Sequence, residues 1–191
     1  MRAAPLARRT LLLVALAAAG GACSAGEDDS VEYQVKAAFV CKFGNYVEWP
    51  AQAQGGAGEP LRIGVLGSDA VFDEFRRTAA AATVGGRPIE VRRVVRAEGQ
   101  LPESLHIVFV ARTMAAQAPA VLAAARGRPV LTVTEFDPPT GTNGNGSAGI
   151  INFVVVDSKV RFDILLPLAA QGGLKISGRL LGVARRVEGR V

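Results

Sequence analysis

The sequence predicts an α/β fold: a single-domain layered sandwich with a mostly parallel, Rossmann-like sheet, helices on both faces and a C-terminal antiparallel hairpin that closes it. Three observations carry this expectation. Apolar runs of strand length alternate with helix-length segments from Leu61 to Thr134, the pattern of a parallel sheet covered by crossover helices. Turns rich in glycine or serine separate these segments. Two β-branched runs, residues 150–156 and 160–166, flank Asp157-Ser158-Lys159, which reads as a hairpin.

Residues 1–22 stand apart from the fold. Arg2, Arg8 and Arg9 precede the uncharged run LLLVALAAA, and Gly20-Gly21-Ala22 then supplies small residues before Cys23. This is the order of a secretory signal peptide, and the run is too short to span a bilayer, which needs about 20 apolar residues. The small residues before Cys23 suit lipidation of that cysteine as well as simple cleavage. Residues 23–30 read as a short tether and residues 31–191 as one domain.

Ser30 reads as a helix N-cap. Val35, Ala38, Phe39, Phe43, Tyr46 and Val47 recur at helical spacing, so residues 31–48 are expected to form an amphipathic helix, ended by Trp49-Pro50. After a polar loop, residues 61–66 form a strand. Gly67-Ser68-Asp69 turns it into a helix with Phe72 and Phe75 inward, which Gly85-Gly86 is expected to break. Residues 89–95 mix β-branched and charged residues, as a strand with one wet face does. Residues 105–111 read as a buried strand, residues 119–126 as a helix capped by Gly127, and residues 130–134 as another strand. Residues 137–149 form a Pro/Gly/Asn loop before the hairpin. Pro167 starts a short helical turn ended by Gly172-Gly173. Ser177 caps a last helix carrying Leu180, Leu181, Ala184 and Val187.

Composition narrows the function. The 191 residues carry a formal net charge of +5. Three of the 22 basic residues and none of the 17 acidic ones lie in residues 1–22, so the rest of the chain carries 19 basic against 17 acidic groups, a net of +2. So mild an excess, without a dense basic run, gives no footprint for nucleic acid. Two cysteines, Cys23 and Cys41, do not make a disulfide framework.

The chemistry-bearing residues point away from catalysis. The turn Gly67-Ser68-Asp69 lacks the third glycine of a dinucleotide fingerprint and the lysine of a P-loop, and it reads as a capped turn. His106 lies in an apolar strand with no ligand at metal spacing and is expected to be a hydrogen-bonded core residue. Cys41 has no identifiable base beside it and reads as a packing residue. Arg179, Arg185, Arg186 and Arg190 read as a solvated face. Tyr46 and Trp49 lie near a helix end, where such aromatics serve as interface hot spots or as caps of a core.

Two blocks resemble a known family. The stretch from Tyr33-Gln34-Val35-Lys36-Ala37-Ala38-Phe39 to Tyr46-Val47-Glu48-Trp49-Pro50, followed by Leu61-Arg62-Ile63-Gly64-Val65-Leu66-Gly67, is similar to the opening of the YfiR/HmsC-like family of exported proteins. Pro129-Val130-Leu131-Thr132-Val133, Gly149-Ile150-Ile151-Asn152-Phe153, Val160-Arg161-Phe162-Asp163-Ile164 and Gly173-Leu174-Lys175-Ile176-Ser177 with Arg179-Leu180-Leu181 resemble its C-terminal half. The resemblance implies a periplasmic α/β protein, often a homodimer. It would bind the periplasmic sensor domain of a membrane-bound diguanylate cyclase, hold it inactive, and so lower cyclic di-GMP and biofilm formation. It implies no catalysis, cofactor or metal. Some relatives carry cysteine pairs tied to redox control; here the strands and the loop before Ile150 contain no cysteine.

Tyr46, Trp49, Phe153 and Arg161 are the expected partner contacts, on aromatic and arginine chemistry, and Cys23 is the position for a lipid anchor. The alternative reading is a periplasmic small-ligand sensor that uses the crevice at the carboxyl ends of the strands.

Overall fold

The computed structural model describes residues 25–56, 58–95, 101–136 and 148–189. The expected signal peptide, Cys23, Arg190 and most of the loop before the hairpin lie outside them.

An eight-stranded sheet organises the chain. Its strands are β2 (Leu61–Leu66), β3 (Thr83–Val84), β4 (Arg87–Arg93), β5 (Ile107–Val110), β6 (Leu131–Thr134), β7 (Ile151–Val156), β8 (Lys159–Leu165) and β10 (Arg186–Glu188). They lie in the order β10-β8-β7-β6-β5-β2-β4-β3. The inner pairs β4-β2, β2-β5, β5-β6 and β6-β7 are parallel. Two further short strands, β1 (Val47–Glu48) and β9 (Lys175–Ile176), pair antiparallel beside the main sheet. The helices are α1 (Ala25–Phe43), α2 (Asp69–Ala80), α3 (Ala118–Ala125), α4 (Leu166–Gln171) and α5 (Gly178–Leu181). The α/β sandwich expected from the sequence is the one observed.

Alternation within the central strands builds two cores. Ile107 and Phe109 of β5 join Ile63 and Val65 of β2 and Leu131 and Val133 of β6 in a cluster with α1 and α2. Val108 and Val110 point the other way, into a second cluster with Leu122 and Ala125 of α3. Successive side chains leave a strand on opposite faces, so a strand buried on both faces needs helices on both. Phe75 of α2 packs on Phe109 with ring centroids 4.7 Å apart. Phe39 and Phe43 of α1 pack on Phe153 and Phe162 of the hairpin.

Several boundaries differ from the sequence expectation, each for a local reason. The first helix starts at Ala25, before Ser30, and ends at Phe43. A Cβ on Gly44 would lie 2.8 Å from Val84 Cγ2, so the chain leaves the helix where its backbone meets β3. Asn45 and Tyr46 donate to the carbonyls of Lys42 and Phe43 and close the turn, and Val47 enters β1. Gly85-Gly86 does not end α2, which stops at Ala80. With φ of 56° and 78° the two glycines form the turn of the β3–β4 hairpin, where both central residues need positive φ.

The C-terminal hairpin is present, with Asp157 and Ser158 at φ of 50° and 56°. Lys159 belongs to β8 and pairs with Val156. The hairpin is not the end of the sheet: β10 adds in parallel outside β8. The last helix is correspondingly short. Ser177 Oγ accepts from Leu180 N–H as expected, but α5 ends at Leu181, and Ala184 and Val187 lie beyond it. Arg185 and Arg186 are not a solvated face. Arg185 Nε donates to Asp163 Oδ1 at 2.7 Å and Arg186 Nη2 lies 3.1 Å from Oδ2. Asp163 is fully buried, and a buried carboxylate requires such partners.

A second buried polar knot fixes the β6–β7 junction. Asn152 Oδ1 accepts from Thr134 Oγ1 at 2.6 Å and from Gly149 N–H at 2.9 Å, while its Nδ2 donates to Gly149 O. A Cβ on Gly149 would lie 2.8 Å from Thr132 O, so this close backbone approach requires glycine.

Candidate functional site

The order in which the chain adds strands reverses between β2 and β5. From β2 the chain passes through α2 toward β4 on one side; from β5 it passes through α3 to β6 on the other. The two helices pack on opposite faces. The turns that leave β2 and β5 therefore diverge and open a crevice at the carboxyl ends of the strands, the place where open α/β sheets receive ligands. Its volume is about 1050 Å³. The walls are the first described turns of α1 (Ser30, Tyr33), the flank of α2, and the turn after β5 (Arg112, Thr113).

Under this crevice sits a charged cluster. Glu135 follows β6, and its carboxylate accepts from Tyr33 O–H at 3.1 Å, from the backbone N–H of Arg112 at 2.7 Å and from Lys36 Nζ. Lys36 also bonds Glu32, one helical turn back, and the Arg112 guanidinium donates to the same Glu32 oxygen at 2.7 Å. The side chains of Lys36 and Glu135 are each only 2% exposed. Burial pushes the Tyr33 phenol up to about 12. Burial alone would raise the Glu32 carboxyl, but its bonds to Lys36 and Arg112 outweigh that and hold it below the usual range. Bonding to Tyr33 and the nearby glutamates keeps Arg112 more firmly protonated. A carboxylate held by three donors, as Glu135 is, fixes the positions of its neighbours.

The α2 wall is set by local capping. Ser68 Oγ accepts from Val71 N–H at 3.4 Å, so the turn is capped as expected. Asp69 turns away from the crevice to Arg93 at 2.8 Å, whose guanidinium lies 4.2 Å over the Phe72 ring. On the crevice side, Glu74 is bonded by Arg77 and Thr78, and Asp73 lies 3.7 Å from Arg76.

The four residues expected to contact a partner are spread over the fold. Tyr46 is 37% exposed and follows α1 at the end where the parallel strands begin. Arg161 is exposed and pairs with Val154 near the hairpin tip, at the opposite end. Trp49 and Phe153 are buried; the expectation that they offer surface is corrected by packing. Phe153 lies between Phe39, Phe43 and Phe162, and Trp49 stands edge-on to His106 with centroids 5.9 Å apart. His106 is a hydrogen-bonded core residue, its Nδ1 accepting from Arg62 N–H at 3.0 Å, and burial holds its pKa down. Cys41 is buried, which pushes its thiol up to about 11 and keeps it a packing residue.

Sequence reasoning missed Lys36, Glu135 and Arg112. One signal was available: Lys36 falls between Tyr33, Ala37 and Val40 on the buried side of α1, where a cation demands an acid from elsewhere in the chain.

Comparison with known proteins gives one finding. Residues 33–185 match the family described as YfiR/HmsC-like. No curated protein matches the chain.

Proposed function

The chain belongs to the YfiR/HmsC-like family, and from that premise we propose that it is a periplasmic repressor of a membrane-bound diguanylate cyclase. It grips the cyclase's periplasmic sensor domain and favours the inactive state, so that less cyclic di-GMP is made and biofilm formation falls. The family match, spanning nearly all of the described domain, is the observation that carries this reading. Export by residues 1–22, a homodimeric assembly and Cys23 as the lipid position complete it. No helix among the described residues is long and apolar enough to cross a membrane, which is compatible with a partner reached from outside the bilayer.

A repressor of this kind needs only differential affinity for two states of its partner. A coupling of about 1–3 kcal/mol changes output roughly 5- to 150-fold. Deletion of the gene is therefore expected to raise cyclic di-GMP by a factor in that range. An unchanged level with the cyclase expressed would overturn the proposal.

Contact is assigned first to the hairpin, where Arg161 shares a face with the exposed Val156, with Tyr46 as a second contact. Arg161→Glu is expected to weaken capture of the sensor domain by about tenfold or more, some 1.4 kcal/mol. Its own stability should change by no more than about 0.5 kcal/mol, as for other surface positions. Capture by surface plasmon resonance beside a thermal melt measures both; undiminished capture removes Arg161 from the interface.

A further inference from the structure

We propose that the crevice between α1, α2 and the Arg112 turn is a binding site for a small organic oxyanion, a carboxylate or a phosphate monoester with one or two negative charges. This goes beyond the repressor role and stands without it.

Size comes first. About 1050 Å³ is room for a molecule of metabolite size, since ligand pockets fall around 300–1000 Å³. Position comes second, because the opening lies at the switch point between β2 and β5. Hydrogen-bond donors then select the class. The guanidiniums of Arg76 and Arg77 stand along the α2 wall beside Asp73 and Glu74, and Arg112 at the far wall is bound to Glu32. Arg76 and Arg77 are 64% and 70% exposed and each meets one carboxylate oxygen. A guanidinium has five N–H donors, so both keep donors directed at solvent and the crevice. The lining is richer in donors than in acceptors, which calls for a ligand of the opposite kind. A planar fork suits the paired oxygens of carboxylate or phosphate.

Two further features fix the limits. The acid best placed to repel an anion at the start of α2 is Asp69, and it is bound to Arg93 outside the crevice; the positive end of the twelve-residue helix then adds to the attraction. At the far wall Glu32 sits against Arg112, which opposes a polyanion such as a nucleoside triphosphate. Ala70 and Val71 offer an apolar floor for the ligand's body.

The test is calorimetric titration of the full mature chain with citrate and, separately, with phenyl phosphate. The expected result is saturable binding of at least one probe that weakens as NaCl rises. Arg76→Gln/Arg77→Gln should weaken it roughly tenfold or more, while Arg179→Gln, on the distant and exposed start of α5, leaves it unchanged. Binding of phenyl phosphate alone assigns the phosphate class, and binding of citrate alone the carboxylate class. No binding of either probe up to about 10 mM, or equal binding by the double variant, overturns the proposal. Both exchanged arginines are exposed, so a thermal melt close to that of the parent confirms that folding is not the cause. The cyclase takes no part in the measurement, so its outcome is separate from that of the repressor reading.

Discussion

Lys36→Met is expected to lower the unfolding free energy by about 3–5 kcal/mol, read from the shift of a denaturant midpoint at constant slope. Methionine fills nearly the same space, so the change isolates the charge. The Lys36 ammonium is bonded to both Glu32 and Glu135, and the Glu135 carboxylate is all but excluded from water. Removing the cation leaves a buried negative charge facing a second one, with the Tyr33 hydroxyl and the Arg112 N–H as its remaining hydrogen-bond support. The double variant Lys36→Met/Glu135→Leu should recover most of the loss, because an apolar pair carries no desolvation penalty. A single variant within about 1 kcal/mol of the parent would show that water or rearrangement already compensates the cluster. Acidity gives a second reading of it. Glu32 has a depressed folded pKa, so its contribution is complete above the unfolded carboxylate value near 4.3 and fades as pH falls through the lower folded one. The parent's melting temperature should drop on acidification below about pH 4.3, and the drop should be shallower once Lys36 is replaced.

That cluster also marks how far the sequence could be read. The β2–α2 unit was legible because its information is local: a short apolar run, a serine cap, and Phe75 at the spacing that faces the sheet. The β7–β8 hairpin was legible for the same reason, as two β-branched runs around a short turn, although Lys159, read as part of the turn, pairs with Val156 and leaves two turn residues. What escaped depends on distant partners. Thr83–Val84, Lys175–Ile176 and Arg186–Glu188 are strands of two or three residues, too short to show a period, and each exists because a neighbour offers hydrogen bonds. Arg186 reads as one of several surface arginines until Asp163, 23 positions earlier and fully buried, is known to need it. Lys36 and Glu135 are 99 residues apart, and no spacing rule joins them. The candidate crevice was legible only in outline, since a parallel sheet implies a crevice at the carboxyl ends of its strands without saying which side chains line it.

Trp49→Ala is expected to destabilise the protein by about 3–5 kcal/mol, the range for removing a large buried aromatic. The indole is 8% exposed and closes the core at the end where the parallel strands begin, standing against His106 while its carbonyl accepts from Gln54 Nε2 at 2.9 Å. Alanine would leave a cavity beneath a segment that Pro50 already holds extended, with little freedom to collapse. Trp49→Phe separates packing from polarity. The indole Nε1–H is buried and has no hydrogen-bond partner among the described residues, so phenylalanine keeps most of the contact area and removes a group whose desolvation is unrewarded. That variant should stay within about 1.5 kcal/mol of the parent, as near-isosteric core exchanges do. Capture of a cyclase sensor domain by either folded variant should match the parent once the unfolded fraction is subtracted, because a residue facing inward acts on the interface only through the stability of the fold. A Trp49→Ala protein that melts with the parent yet has lost capture would place the indole at the surface in the working assembly, and the packing argument for this end of the sheet would fail.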